Sequence, residues 1–227
     1  MDNTKTEIVL VVDKSGSMYS KRSTVITAIN GFLDEQKQAA GTAHVTLYTF
    51  NDTVQVMLPR CELKEAPALT PANYDPDGCT ALLDAVGTAI DSTGKYLAAM
   101  PEEARPGTVI IGIMTDGYEN ASSDYTWKQI ADRIKHQKEK YSWRFNFFGA
   151  GADTFDVAAK MNIDRKESVQ WDASDAEEVT TMMKSHSRRM KAVRACSMGA
   201  ATAEDRAVME CSMSDVMDTF RNKRRKK

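Results

Sequence analysis

Residues 8–12 and, within a second buried-type strand at 108–114, the stretch that follows Thr108 and holds one glycine are apolar runs with no alternation of polar positions. Short β-branched runs of this kind are what strands covered on both faces of a parallel sheet look like, and residues 7–13 are expected to be a central strand. Elsewhere the period is helical. Val25, Ile26, Ile29, Phe32 and Leu33 set one apolar stripe over residues 21–39. Leu82, Val86, Ala89 and Ile90 set another over 81–97, and Trp127, Ile130 and Ile134 a third over 126–141. Residues 153–161 read as a short helix, and residues 43–50, 144–148 and 168–171 as strands. Asn51-Asp52 is expected to turn a two-residue hairpin into 53–58, which makes that strand an antiparallel edge. Pro59, Pro67, Pro71 and Pro76 make residues 59–79 an irregular loop, and a loop that long in a compact domain is usually functional. Ser174 to Glu177 has capping-box spacing before a last helix whose Val179, Met182, Met183, His186, Met190 and Val193 share a face. The alternation predicts an α/β fold: a doubly wound, mostly parallel central sheet with one antiparallel edge strand and helices on both faces. In such folds ligands bind beyond the carboxyl ends of the strands.

Composition changes this picture little. At 227 residues, 42% hydrophobic and 27% charged, the chain is an ordinary globular one, large enough for a sizeable core without disulfides, which sets aside disordered and low-complexity classes. No apolar run approaches the ~18 residues of a membrane span. The polar N-terminus has no secretory-signal pattern, so a cytoplasmic location and no transmembrane segment are expected. Cys61, Cys79, Cys196 and Cys211 are scattered, without zinc spacing, and reduced thiols are expected. The histidines are three isolated residues. Charge is more informative: the net −2 divides into −8 over residues 1–184 and +6 over 185–227, an acidic body with a basic tail.

The candidate chemistry follows the two buried strands. Asp13-Lys14-Ser15-Gly16-Ser17 puts one carboxylate and two hydroxyls within five residues. Oxygen ligands of this type suit a small hard cation such as Mg²⁺. The spacing alone is a weak signal, but Asp116 ends the second run as Asp13 ends the first. Neighbouring parallel strands end about 5 Å apart, close enough for both carboxylates to share one hydrated ion. Thr80, directly before a helix, can add a third hydroxyl.

These residues, Asp13-Lys14-Ser15-Gly16-Ser17-Met18, then Gly78-Cys79-Thr80-Ala81-Leu82, then Thr115-Asp116-Gly117, resemble the von Willebrand factor type A (vWA) domain family over residues 5–190. The resemblance implies a Rossmann-like vWA fold, taken as a domain at 1–193; after that the residue pattern changes, and 194–227 is expected to be a partly helical C-terminal extension with a basic tail that the resemblance does not cover. The resemblance also implies a metal-ion-dependent adhesion site made by Asp13, Ser15, Ser17, Thr80 and Asp116 around Mg²⁺, with Mn²⁺ or Ca²⁺ as alternatives. Ser15 and Ser17 would touch the ion. Thr80 and Asp116 would do so directly or through water, and Asp13 mainly through water and hydrogen bonds. The function implied is a non-catalytic adaptor or assembly component that binds a protein partner supplying an Asp or Glu to the metal. Tyr74, Asp77 and Glu119, with Asp75, are candidates for the surrounding partner surface.

Two other readings stay open. The basic run at 221–227 could bind nucleic acid or another acidic surface by counterion release, although no stacking aromatics are interleaved with it. A metal-dependent phosphoryl-transfer enzyme ranks last, because position 15 is Ser where a nucleophile-bearing DxDxT pattern would carry Asp. In the extension, Val208, Met209, Met213, Val216, Met217 and Phe220 predict one marginal helix over 203–220 that needs a partner surface.

Overall fold

The computed structural model describes residues 1–225. Six strands form one sheet in the order β3-β2-β1-β4-β5-β6: β1 (Asp2–Asp13), β2 (Thr42–Phe50), β3 (Val54–Glu62), β4 (Pro106–Thr115), β5 (Arg144–Gly149) and β6 (Ser168–Gln170). All pairs are parallel except β2 with β3. The predicted mostly parallel sheet with one antiparallel edge is therefore present. Strand order reverses at β1, between β2 and β4, and this is where a doubly wound sheet opens a crevice at its carboxyl edge.

Successive residues of β1 enter opposite cores, as the pleat requires. Ile8, Leu10 and Val12 join the core beneath α1 (Arg22–Lys37) and α5 (Ala176–Ser197). Val9 and Val11 join the core beneath α2 (Leu82–Ala98), α3 (Trp127–Tyr141) and α4 (Thr154–Lys160). Burial on both faces is the physical reason the run lacks polar positions. The six α5 residues predicted to share a face are all buried.

Several boundaries differ from expectation. β1 starts five residues before residue 7, extended by pairing of Asp2 with Pro106. β3 continues to Glu62 through Pro59, which an edge strand tolerates because no neighbour needs the missing N–H. The cap of α5 is Asp175, which accepts from Glu177 N at 2.9 Å, one residue after the predicted Ser174. The single helix expected over 203–220 is two, α6 (Ala203–Glu210) and α7 (Met213–Arg225). Ser212 breaks it by accepting from Asp215 N at 3.1 Å, a serine cap that competes with continued helix. Thr202 caps α6 in a reciprocal box with Asp205.

The extension is packed, not appended loosely. Met213 and Met217 are buried in the same core as α1 and α5, and Val216 is buried as well. Arg188 pairs with Glu204 and Asp205, Arg221 with Glu178 and Asp218, and Arg224 with Asp175. Part of the predicted basic run is thus spent on acids of the body; its Lys226 and Lys227 lie outside the described residues. Among the described residues, no helix is long and apolar enough to cross a membrane, and Cys61, Cys79, Cys196 and Cys211 are free thiols.

Candidate metal site

Three segments meet over the carboxyl ends of β1 and β4. The first leaves β1 at Asp13, which is wholly buried. Its Oδ1 accepts from Ser15 N at 2.7 Å and its Oδ2 from Thr115 Oγ1 at 2.6 Å. Burial pushes the Asp13 carboxyl above the usual carboxylate range, against the pull of the Ser15 and Thr115 hydrogen bonds, and the charge of Asp116 adds to the rise. A cation at this site would reverse that balance.

The second segment carries Asp116. Ser17 Oγ donates to Asp116 Oδ1 at 2.5 Å. The 3.1 Å contact between the Ser15 and Ser17 hydroxyls must then have Ser15 as its donor, since Ser17 has given its one proton to the carboxylate. Lys21, at the end of a 3₁₀ turn (Gly16–Lys21), donates from Nζ to Asp116 Oδ2 at 2.6 Å and to Ser17 O at 3.0 Å.

The third segment presents Thr80. Gly78 holds a left-handed φ of 77°, and a Cβ there would lie 2.0 Å from Asp52 Oδ2, so glycine is required. Asp52 in turn accepts from Cys79 N at 3.0 Å. The loop is tied to the first segment by Gly16 N to Gly78 O (3.0 Å) and Asp77 N to Lys14 O (2.9 Å). Asn120 Oδ1 accepts from Thr80 N at 2.9 Å. Thr80 is buried, fixed between these ties.

Whether these groups fit a metal is decided at Gly117. A Cβ built there would sit 3.1 Å from Thr80 Oγ1, 3.5 Å from Ser17 Oγ and 3.8 Å from Asp13 Oδ2. Three oxygens, two from the segment leaving β1 and one from the Thr80 segment, thus face a space that an ordinary side chain on the Asp116 segment would fill and a glycine leaves clear. The donors are all hard oxygens, the chemistry of Mg²⁺, Mn²⁺ or Ca²⁺. Among the described residues no cluster of three or more His, Cys, Asp or Glu forms, so only two carboxylates are available and hydroxyls must supply the rest. The five predicted residues, Asp13, Ser15, Ser17, Thr80 and Asp116, are brought together on this basis.

The predicted surrounding surface fares differently. Tyr74 is fully buried and its hydroxyl donates to Asp13 O at 2.7 Å. Burial, with the charges of Asp13 and Asp116, raises its phenol well above the usual range. It supports the metal loop from below and is not part of a surface. Glu119 accepts from Leu83 N at 3.0 Å and from Ser122 N at 2.8 Å, capping the start of α2. Its carboxylate is occupied in fixing the loop. Asp77 is exposed beside the site, and Asp75 pairs with Arg22. Lys14 points away, to Gln55 Oε1 at 3.1 Å. The hydrogen bond with Asp52 raises the Cys79 thiol above its ordinary range, the reverse of what activates a nucleophile.

Sequence reasoning missed Lys21 and Thr115. Lys21 lies four residues after Ser17, one helical turn, a spacing that could have flagged it. Thr115 was visible as the residue closing the second strand.

The profile of the von Willebrand factor type A domain matches residues 7–185. No curated protein matches the chain. Among solved structures, a D319A mutant of the PilB minor pilin from Streptococcus sanguinis is similar, with a TM-score of 0.61 and 12% identity over 87% of this chain and 64% of that one. A von Willebrand factor type A protein from Catenulispora acidiphila gives 0.54 and 12%, covering 83% and 43%. The manganese-loaded Plasmodium vivax TRAP protein gives 0.50 and 18%, covering 79% and 73%. The chain therefore spans less than two thirds of the pilin it resembles, and at these identities the likeness is one of fold.

Proposed function

The chain belongs to the von Willebrand factor type A domain family, and from that premise we propose that it is a Mg²⁺-dependent protein-binding module. Asp13, Ser15, Ser17, Thr80 and Asp116 would hold the ion as a metal-ion-dependent adhesion site. When bound, the ion supplies a positive centre for an acidic side chain of a protein partner. The observation that carries this reading is the side-chain-free space at Gly117, faced by Thr80, Ser17 and Asp13. Hydroxyls are neutral and two carboxylates neutralise a divalent ion only in part when water intervenes, so a partner's Asp or Glu is electrostatically welcome.

The chain's own groups favour binding over catalysis. Asp116 is already bonded to Ser17 and Lys21, Cys79 is not activated, and no histidine has been placed at the site. The nucleic-acid alternative loses support because Arg221 and Arg224 are paired with Glu178 and Asp175. A manganese-loaded protein is similar to the chain in fold, which supports the metal reading. The role as adaptor or assembly component, in the cytoplasm, is part of the same proposal.

Asp13→Ala tests it. The variant is expected to weaken Mg²⁺ binding by about 100-fold, since supporting partners of metal ligands are worth about 10–100-fold, and to lose any partner released by EDTA from the wild type. Calorimetric Mg²⁺ titration and partner capture measure the two. Unchanged Mg²⁺ affinity in a folded Asp13→Ala would refute the reading.

A further inference from the structure

Lys21 is outside the five-residue set, yet it makes the closest charged contact in the site. Its Nζ is 2.6 Å from Asp116 Oδ2, and the two side chains are 13% and 2% exposed. The other Asp116 oxygen accepts the Ser17 hydroxyl. Asp116 is thus shut away from solvent with an ammonium on one oxygen and a hydroxyl on the other, while Lys21 also takes the Ser17 carbonyl. These are groups from two of the five positions proposed to hold the metal.

We propose that Lys21 is a built-in counter-cation of the metal site, competing with the divalent ion for Asp116 and so setting a weak, reversible metal affinity. This deepens the metal-binding reading and rests on it. Three physical points carry it. First, Asp13 and Asp116 bring two negative charges, and Lys21 cancels one before any ion arrives. Second, an ammonium and a divalent cation bidding for one carboxylate repel each other, and exclusion of solvent strengthens that repulsion. Third, the residue is lysine, a compact point charge on a flexible four-carbon stem that can withdraw, where an arginine fork would lock the carboxylate. Lys14, also in the loop, cannot play this part because it is bonded to Gln55.

The competition is tested on the full chain with Mn²⁺ alone, counting the free hexaaqua ion by electron paramagnetic resonance. Lys21→Gln keeps hydrogen-bond donors but removes the charge, and Lys21→Met removes both. Each is expected to bind Mn²⁺ about tenfold more tightly than the wild type, the order of effect that one nearby charge exerts on a partly buried site. Lys21→Arg, which keeps the charge, should not tighten binding. In EDTA, Lys21→Gln and Lys21→Met should melt below the wild type, and added Mn²⁺ should raise their melting temperatures by more than it raises that of the wild type. Wild-type Mn²⁺ binding with equal or weaker binding by folded Lys21→Gln overturns the competition alone. Absence of Mn²⁺ binding from the wild type and every variant overturns the metal reading itself, and the competition with it.

Discussion

The loops over β1 and β4 and the C-terminal pair α6–α7 both concentrate charge, and they use it in opposite ways. Between the extension and α5 arginines find carboxylates from either side: Arg188 of α5 meets Glu204 and Asp205 of α6, Arg221 of α7 meets Glu178, and Arg224 of α7 meets Asp175. Those charges are consumed in holding α6 and α7 against α5. Over β1 and β4 Asp116 is also paired, with Lys21, but Asp13 Oδ2, Ser17 Oγ and Thr80 Oγ1 converge on a point that Gly117 leaves open. Mutual pairing marks charge used for structure, whereas convergence on a space without a side chain marks charge reserved for a ligand. The acidic body and basic tail read from the sequence therefore do not stand for two separate binding surfaces, because much of the described tail is neutralised on the body.

That contrast can be broken from either side. The largest effect is expected in the extension. Met217, fully buried, should cost about 3 kcal/mol of stability when replaced by Ala, in the range of large-to-small core changes. Mg²⁺ affinity should stay within about twofold of wild type, since remote sites rarely couple. Urea unfolding and calorimetry check the two halves. A weak stability effect would mean that α7 is a loose appendage.

Next comes His186, on α5 between the two regions. It stacks on Phe32 at 5.2 Å and meets Phe148 edge-on at 4.8 Å, and neither ring nitrogen has a hydrogen-bond partner. Burial, helped by the charge of Arg189, lowers it from 6.5 to about 3. Above pH 6.5 the ring is neutral in both folded and unfolded chains, so it imposes no pH dependence there. As pH falls from 6.5 towards 3 only the unfolded chain takes up the proton, and stability is lost at about 1.4 kcal/mol per pH unit. His186→Phe should remove one proton's worth of this slope, which stability curves between pH 7 and 5 would reveal. An unchanged slope would show that the ring is not held neutral.

The smallest effect belongs to the site. Gly117→Ala places a methyl 3.1 Å from Thr80 Oγ1 and should weaken Mg²⁺ about tenfold, equivalent to about 1.4 kcal/mol, with little change in unfolding. Equal affinity in the variant would mean that the open space at Gly117 is not where the ion sits.

Much of this was legible in the sequence for a physical reason. Strands buried on both faces admit few polar residues in their interiors, so the apolar runs of β1 and β4 announced themselves, and Asp13 and Asp116 stood out as the first charges after those runs. Periodicity likewise placed the buried face of α5. What was not legible depends on contacts made across the chain. An aromatic alone in a polar, proline-rich loop gives no sign that it folds under Asp13, so Tyr74 was read as surface. Glu119 was read as rim because nothing local shows that its carboxylate caps α2. The break between α6 and α7 was visible in the Ser212 to Asp215 spacing but was outweighed by an apolar pattern that continues across it.

The central position of β1 has a mechanical consequence. Asp13 is the last residue of a strand flanked on both sides by parallel neighbours, with register running from Lys5 to Asp13 against β2 and from Thr6 to Val12 against β4. Tension applied through a ligand at Asp13 would run along the axis of β1 and load both ladders in shear, many hydrogen bonds sharing the force at once, where a pull on the edge strand β3 would peel its bonds one after another. The grip of such a site would be limited by the ion and its ligand, not by the strand that anchors it.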